Sequence, residues 1–444
     1  MAVILNSNMP YRGNLADLPP INAPMPNGAA FYADFLNDLY ITPDTRGADP
    51  KAIFDFSAAR ERFVANAQGG YARVAEGAAA GRVEHDAKGA RVGLLLEGAN
   101  SQMLALAQRT DLTKGTASGL NVVADGGTPE NEWDRWYALA PVGDGAHSLQ
   151  LASEASVAAN HRRLFAMEVR PGTTGQRYVQ LSAGPNGDAE DYANFDLQTM
   201  TVCGQGAGAV FAGIVPTQLG AICYVQYVSA LAGIESPAVA IIGTATAAKL
   251  TAAAAASVGG VRVRLPKFVT NTGVYTRIPA RSPMPSGVSA VLPDQLKLVA
   301  PSEDFTMLIR AHQPVWSNEY TPTLFAIAPN GSVVNGVSIR TTAGAPLAVV
   351  TRTSNTAAVA HTFATGIVPD KLMTFAVAKQ GNVLRVALEG ETYEAELPQI
   401  AGGAAYLLSS PVASEGFDGH LQRAIGWTHG KSLSEMQALV AGGL

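Results

Sequence analysis

Apolar and polar positions alternate with a period of two in short runs from about residue 105 to the C-terminus. In the run at residues 163–170, for example, Phe165, Met167 and Val169 fall on one face. Side chains two positions apart share a face of a strand, whereas an amphipathic helix needs a period of about 3.6 residues. Residues 220–228 are apolar on both faces, which is typical of a central strand in a sandwich. The pattern therefore predicts β-structure over most of the chain.

The alternation continues in the last third of the chain. Residues 371–379, 383–388 and 391–397 predict three strands joined by tight turns, with one face of the sheet in contact with water. Near the C-terminus, Ser432 and Glu435 have the spacing of a capping box, which predicts a short helix there. Residues 281–293 contain prolines and little apolar periodicity, so we interpret them as a linker between two β domains.

The first 50 residues have a different character, because prolines recur throughout them. Proline lacks a backbone donor and restrains the residue before it, so we do not expect a regular sheet here. Phe31, Phe35 and Leu39 recur at a spacing of four, which predicts one short helix in residues 28–40. We expect a loop-rich arm that is ordered by contact with a neighbouring subunit or protein. The alternative is an ordinary extension packed on its own domain.

Composition and charge narrow the class of protein. Charged residues make up only 15% of the chain and glycines number 45, which suits packed β-structure with tight turns. The net charge of -5 and the lack of a Lys/Arg run argue against a nucleic-acid partner. No signal peptide or transmembrane run stands out, so we expect folding in a cytoplasm without membrane insertion. We expect Cys203 and Cys223 to be buried free thiols, and a disulfide remains open if they fall on neighbouring strands.

The sequence contains no clear motif for catalysis or metal binding. The seven histidines are scattered without the spacing of a zinc site, and neither a G-x-S-x-G elbow nor a P-loop occurs. We therefore predict no catalytic residues, no metal site, no cofactor and no enzymatic activity. Asp188, Glu190 and Asp191 form an acidic loop that offers oxygen ligands to calcium, but such a loop is more often a solvated turn.

One segment carries a family resemblance. Residues 82–86 read R-V-E-H-D, and after a short turn Gly93 begins G-L-L-L-E, with Ala99 two positions further on. This order resembles a segment of phage tail, fibre and head-fibre proteins, R-(apolar)-(acid)-(aromatic or His)-D followed by G-L-L-(apolar)-E-x-A. The family usually continues with Arg-Thr-Asn-Leu, where this chain has N-S-Q-M at residues 100–103.

Later segments resemble two domains of the same kind of protein. R-Y-V-Q-L at residues 177–181 and F-D-L-Q-T at 195–199 resemble a carbohydrate-binding-module-like jelly roll. The strand that opens at residues 417–421 and the helix after it resemble the end of a concanavalin-like, laminin-G-type sandwich. The resemblance implies an all-β fold with two tandem β-sandwich (jelly-roll) domains preceded by a loop-rich arm. Its parts would be an N-terminal attachment arm and entry segment at 1–104, a carbohydrate-binding-module-like sandwich at 105–280 and a concanavalin-like sandwich at 281–444.

The function that this resemblance implies is that of a bacteriophage virion protein, assembled in the host cytoplasm. Residues 1–50 would join it to other virion proteins, and the chain would form a homotrimer. The two sandwiches would bind a host-surface glycan or protein. One alternative is the accessory binding portion of a polysaccharide-degrading enzyme, although such enzymes usually add a long β-helix for which two sandwiches leave no room. Another is a decoration protein without a ligand.

Two aromatic clusters are the candidate glycan-binding residues. Sugar rings stack on aromatic faces while amides and carboxylates take the hydroxyl groups. The first cluster holds Trp133, Trp136 and Tyr137 among charged residues, and the second holds Trp316 and Tyr320 between two predicted strands. The alternative for each cluster is that its tryptophan fills a sandwich core or a subunit interface.

Overall fold

The protein is almost entirely β-structure, which confirms the all-β prediction. The computed structural model describes residues 26, 28–43, 49–57, 62–74, 82–96, 104, 106–125, 135–153, 156, 158–228, 232–271, 295–298, 304–312, 323–329, 335–341, 346–354, 356–366, 371–400, 403–409, 417 and 419–442. Every strand pair within these residues is antiparallel.

The strands of the described residues are, in chain order, β1 (Ala29–Asp34), β2 (Leu39–Ile41), β3 (Phe54–Ser57), β4 (Arg62–Ala65), β5 (Tyr71–Val74), β6 (Val83–His85), β7 (Arg91–Leu96), β8 (Thr116–Ser118), β9 (Leu120–Asp125), β10 (Trp136–Pro141), β11 (His147–Gln150), β12 (Arg162–Pro171), β13 (Tyr178–Ser182), β14 (Tyr192–Asp196), β15 (Thr201–Gln205), β16 (Ala209–Pro216), β17 (Ala221–Val228), β18 (Ala238–Ile241), β19 (Val261–Asn271), β20 (Gln295–Leu298), β21 (Phe305–His312), β22 (Thr323–Pro329), β23 (Gly336–Thr341), β24 (Leu347–Thr353), β25 (Thr356–Thr362), β26 (Leu372–Gln380), β27 (Val383–Leu388), β28 (Glu391–Glu396), β29 (Gly403–Leu407) and β30 (Gly419–Trp427). The α-helices are α1 (Leu106–Thr110) and α2 (Leu433–Gly442). Single 3-10 turns occupy Pro50–Ala52, Leu112–Lys114, Ala255–Ser257 and Pro398–Ile400.

The middle of the chain folds into one sandwich, which we call the inserted sandwich. Its sheet 1 has the order β16-β17-β12-β19-β10-β9, and its sheet 2 has the order β15-β14-β13-β18-β11-β8. Alternate residues of the strands face inward, so that Phe165, Met167, Phe195 and Tyr227 fill a core between the two sheets. The alternation found in the sequence at residues 163–170 is therefore the inward face of β12.

The second sandwich is assembled from both ends of the chain, and we call it the discontinuous sandwich. Its sheet 3 runs β2-β1-β30-β21-β26-β27-β28, with β7 and β6 attached beside the start of β30. Its sheet 4 runs β25-β24-β23-β22-β29-β20-β3. Phe31 and Phe54 from the first 60 residues share its core with Phe305, Phe325 and Phe375. The inserted sandwich thus interrupts the chain of the discontinuous one.

The structure corrects the prediction for the N-terminal region. Residues 28–40 form the strands β1 and β2, not a helix, and β1 pairs with β30. Phe31 and Phe35 are four apart, but Ala33 between them is also in the core, so the period is two. The side chain of Asp34 accepts hydrogen bonds from the backbone N–H groups of Leu36 and Asn37, which makes the turn between the strands. Within residues 1–104, β1, β2, β3, β6 and β7 therefore belong to the sheets of the discontinuous sandwich and not to a separate arm, while β4 and β5 pair only with each other.

Two other predictions near the C-terminus are confirmed. The three-strand meander consists of β26, β27 and β28. Helix α2 begins with the capping box, since the backbone N–H of Glu435 donates to Ser432 Oγ and the backbone N–H of Ser432 donates to Glu435 Oε2. Met436 and Val440 on one face of this helix are buried against sheet 3.

The two cysteines are free thiols in opposite sheets of the inserted sandwich. Cys223 on β17 is buried and Cys203 on β15 is half-buried. Burial raises the pKa of both thiols above the ordinary value, so both favour the protonated form. As for membranes, none of the helices in the described residues has the length and apolar character that crossing a bilayer requires.

Candidate functional site

The predicted aromatic residues divide into two groups. Trp133, Trp316 and Tyr320 lie outside the described residues. Trp136 and Tyr137 open strand β10, and their exposed fractions are 7% and 2%. Tyr137 faces the core, and its hydroxyl donates to the carbonyl oxygen of Thr110 over 2.8 Å. Neither ring of this pair presents an open face to solvent, which fits the alternative that they serve packing.

Trp136 lies on the outer face of sheet 1 and packs against two guanidinium groups. The guanidinium carbons of Arg170 and Arg264 are 4.2 Å and 4.4 Å from the centre of its ring. A guanidinium held over an indole is attracted by the quadrupole of the ring. Trp136 therefore orients two arginine side chains on this face, a role that residue type alone did not indicate.

Arg264 also belongs to a buried charge cluster around Glu168. The carboxylate of Glu168 accepts hydrogen bonds from Arg264 Nε over 2.7 Å, from the Tyr71 hydroxyl over 2.8 Å and from Thr217 Oγ1 over 2.6 Å. Glu168 and Arg264 are each almost fully buried. A buried charge is tolerated when it is paired and its remaining lone pairs or protons are satisfied, as they are here.

This cluster joins the inserted sandwich to a separate two-stranded hairpin. Tyr71 lies on β5, and β4 and β5 form that hairpin, which we call the bridging hairpin. Arg264 donates to the carbonyl oxygen of Gly69 in the turn of the hairpin, over 3.0 Å, and its guanidinium lies over the Tyr71 ring. On its other side the hairpin packs Val64 and Val74 against Leu95 of β7. The bridging hairpin is thus held by both sandwiches.

Residues 82–86 and 93–96 of the segment with the family resemblance lie in the neighbouring hairpin β6–β7, while Glu97 and Ala99 lie outside the described residues. Glu84 of β6 and His420 of β30 are both buried, and Glu84 Oε2 lies 2.7 Å from His420 Nε2. Gly93 of β7 lies beside both, and a Cβ there would come within 2.6 Å of the Leu421 carbonyl oxygen and 3.0 Å of the His420 Cβ. Only glycine leaves the room for this contact. These contacts explain why the motif has a glycine at Gly93 and an acid at Glu84.

The turn of the same hairpin touches the inserted sandwich. Gln218, in the turn between β16 and β17, donates from its side-chain amide to the carbonyl oxygens of Asn66 and Asp86, each over 3.2 Å. Asp86 is the last residue of the R-V-E-H-D segment, and Asn66 lies in the turn of the bridging hairpin. The turns of both hairpins therefore meet one turn of sheet 1, beside the cluster around Glu168.

The acidic loop between β13 and β14 is closed by a lysine. Lys249 Nζ donates to the carbonyl oxygens of Gly187 and Asp188 over 2.9 Å and 2.7 Å. Asp191 is buried, and burial together with the charge of Asp188 raises the pKa of its carboxyl to about 6. Within the described ranges, no three His, Cys, Asp or Glu side chains are arranged to hold a metal ion. The Lys249 ammonium group therefore binds the carbonyl oxygens that a metal ion would need as ligands.

A second charged group lies beside Trp136 on the outer face of sheet 1. Arg170 of β12 is directly opposite Arg262 of β19 in the strand register. Asp125 of β9 lies 3.8 Å from the Arg170 guanidinium and contacts Nε of Arg262. Each of the three side chains is about a quarter exposed, which leaves them within reach of solvent. No sequence motif marks this group, because its members are far apart along the chain and only the strand order brings them together.

Comparisons with known proteins do not assign a family. No family model matches the chain, and no curated protein matches it. Domain 4 of AbnA, a GH43 extracellular arabinanase from Geobacillus stearothermophilus, in complex with arabinotriose, is 15% identical over 35% of this chain and 77% of its own, with a TM-score of 0.27. The CBM40 module of the Ruminococcus gnavus IT-sialidase, bound to α2,6-sialyllactose, is 13% identical over 31% of this chain and 82% of its own, with a TM-score of 0.24. Domains LG4-5 of the mouse laminin α1 chain are 12% identical over 66% of this chain and 89% of their own, with a TM-score of 0.23. At this level of similarity the alignments establish neither a family nor a ligand.

Proposed function

We propose that this chain is a non-enzymatic bacteriophage virion protein whose β-sandwiches bind a glycan or protein on the host surface. The observation that carries the proposal is the place of the motif that resembles phage tail and fibre proteins. Its described residues, 82–86 and 93–96, lie in hairpin β6–β7, where the Glu84 carboxylate contacts His420 and the carbonyl oxygen of Asp86 accepts a hydrogen bond from Gln218. A sequence motif that forms the contacts between two sandwiches is expected in a protein whose domains must keep a fixed relative orientation.

The contacts at this connection support the role of a rigid virion protein that projects from the particle and transmits mechanical force. The buried pair of Glu168 and Arg264 is tied to the bridging hairpin by Tyr71 and by the carbonyl oxygen of Gly69. Hydrogen bonds between charged, buried groups are stronger and more directional than exposed ones. Two modules joined in this way present their loops to a surface together, so that weak sites gain by avidity.

Attachment to the particle is the second part of the proposal. Because β1 and β2 belong to sheet 3, we assign the contact with other virion proteins to the part of residues 1–50 that precedes Ala29. We further propose a homotrimer, the symmetry that would multiply each host-binding site threefold. Mass photometry of the purified chain at micromolar concentration tests this, and a stable monomer would contradict it.

A glycan array with the purified full chain tests host binding. We expect binding that falls at least about tenfold in Trp133→Ala or Trp316→Ala, because a stacked aromatic ring supplies much of the contact with a sugar. Tyr178→Ala is the matched control, since it removes a half-buried ring from sheet 2 that we do not assign to the site.

Two outcomes would contradict this part of the proposal. One is an array without any bound glycan together with no binding to intact bacterial cells. The other is binding that neither tryptophan substitution changes, which would remove the aromatic platforms from the site.

A further inference from the structure

We propose that the outer face of sheet 1 binds the carboxylate of an acidic sugar through Arg170 and Arg262. The inference rests on the proposed glycan-binding function and names the class of glycan, an anionic polysaccharide. Asp125, Val123 and Ala138 complete the surface, which we call the arginine face. It lies on the strands β9, β10, β19 and β12.

The strand register places two rows of side chains across this face. In the first row, Trp136 is opposite Asp125, and Glu168 is opposite Arg264. In the second row, Ala138 is opposite both Val123 and Arg262, which in turn is opposite Arg170. The first row pairs opposite charges. The second row sets two cations directly across from each other, an arrangement that destabilises a sheet.

The arginine face has one carboxylate for two guanidinium groups. Asp125 contacts Nε of Arg262 but is 3.8 Å from the guanidinium of Arg170, longer than a hydrogen bond. Nε of Arg170 is buried without an acceptor among the described residues. Burial, followed by repulsion from Arg262, lowers the pKa of the Arg170 guanidinium. An external anion would supply the missing charge.

The surroundings leave room for a ligand that is flat and partly apolar. The side chain of Val123 is 50% exposed, and its neighbours toward the end of the sheet are small. Ala140 is exposed, and beyond it Gly172 pairs with Gly260 through a 2.8 Å backbone hydrogen bond. Small residues beside two guanidinium groups would let the apolar side of a sugar ring lie on the sheet while its carboxylate meets the arginines.

The guanidinium of Arg170 is oriented before a ligand arrives. Its carbon atom lies 4.2 Å from the centre of the Trp136 ring, which restricts the side chain to one plane. A planar guanidinium offers two parallel N–H donors that match the two oxygens of a carboxylate. Less side-chain freedom is then lost on binding, so an acidic sugar gains affinity from this arrangement. A neutral sugar would leave the second guanidinium charge without a counter-charge.

The test uses the full chain and an array of uronic-acid and sialic-acid glycans, each paired with its carboxyl-reduced, neutral form. We expect tighter binding to the acidic members, and binding weakened about tenfold or more by Arg262→Gln or Arg170→Gln. Arg177→Gln is the matched control, because it removes one guanidinium from sheet 2 that is paired with Asp196. Since Arg170 packs on Trp136, thermal melting of each variant checks that the fold is retained.

Asp125→Asn separates a ligand site from a structural ion network. If Asp125 competes with the ligand for the arginines, the substitution strengthens binding to the acidic glycans. If it weakens binding as much as Arg262→Gln does, the three residues form a structural network and the inference is wrong.

Equal binding to acidic and carboxyl-reduced glycans would also overturn the inference, while the proposed glycan-binding function would stand. Loss of acidic binding in Arg177→Gln to the same extent would overturn it too, because the effect would then reflect net charge alone. Failure to bind any glycan would overturn the inference, and the proposed function would fall with it only if the chain also failed to bind intact bacterial cells.

Discussion

Glu168 accepts hydrogen bonds from three side chains at the connection between the inserted sandwich and the bridging hairpin. Glu168→Gln removes the charge that Arg264 needs while both groups stay buried. Breaking a buried pair in this way leaves one uncompensated charge, so we expect a loss of about 3 to 5 kcal/mol in the free energy of unfolding. Urea denaturation followed by circular dichroism measures it.

The control for this prediction is an exposed ion pair. Glu394→Gln removes the partner of Arg385 in the meander, where the side chain of Glu394 is 47% exposed. Solvent screens such a pair, and we expect a change below about 1 kcal/mol. Equal effects of the two substitutions would show that the cluster around Glu168 does not hold the connection together.

The raised pKa of Asp191 predicts that the stability of the fold depends on pH. The pKa of its carboxyl is about 6 in the folded protein, and in the unfolded chain it is near the ordinary value of about 3.9. Between these values the folded state binds more protons, so the free energy of unfolding falls as the pH rises from about 4 to 6, by at most about 3 kcal/mol. Denaturation at several pH values measures it. Asp191→Asn should flatten this slope, whereas Glu389→Gln in an exposed turn should leave it unchanged.

At the scale of single elements, hairpin β6–β7 depends on Gly93. The residue has φ +131°, which side chains disfavour, and a Cβ would collide with the Leu421 carbonyl oxygen. We expect Gly93→Ala to cost about 1 to 3 kcal/mol from the backbone conformation alone, and more from the collision. Gly381→Ala is the control, because that turn glycine also has positive φ but open space around it. A smaller loss at Gly93 than at Gly381 would contradict the packing argument.

Elements with a regular local pattern were predictable from the sequence. Strands β12, β26, β27 and β28 follow from alternation, and α2 follows from the spacing of Ser432 and Glu435. Strand β1 was not found, since Phe31 and Phe35 fit both a period of two and a period of four. Prolines near it suggested an arm, but Pro26 and Pro43 lie outside the two strands and Pro24 lies outside the described residues. Local sequence could not decide this, because one of the two strands that pair with β1 is β30, nearly 400 residues away.

Local sequence was also insufficient to predict the candidate site. Residue type marked Trp136 and Tyr137 as sugar-stacking residues, but their place in the sheet buries both rings. Conversely, Arg170 and Arg262 carry no mark in the sequence, and they became neighbours only because β12 pairs with β19. Alternation tells which side chains point outward, whereas strand order tells which of them meet. Sequence reasoning supplied the first but not the second.

At the scale of the whole molecule, the discontinuous sandwich closes only when both ends of the chain are present. β1 and β2 extend sheet 3 beside β30, and β3 forms one edge of sheet 4 beside β20. The strands of the inserted sandwich, β8 to β19, come between β7 and β20 of this framework in chain order. Pairing between distant segments makes folding slow, because long loops must close before the pairing stabilises them.

This topology makes removal of the N-terminus the sharpest test of the fold. An arm could be deleted without loss of the sandwiches, but a deletion of residues 1–57 takes away β1, β2 and β3. Phe31, Phe35, Phe54 and Phe56 leave the core with them, and each buried phenylalanine contributes roughly 3 kcal/mol or more. We therefore expect the truncated chain to lose the cooperative unfolding transition of the discontinuous sandwich, measured by calorimetry. Deletion of residues 1–25 removes none of these strands and is expected to keep that transition, and if both truncations melt like the full chain, the strand pairing between β1 and β30 is refuted.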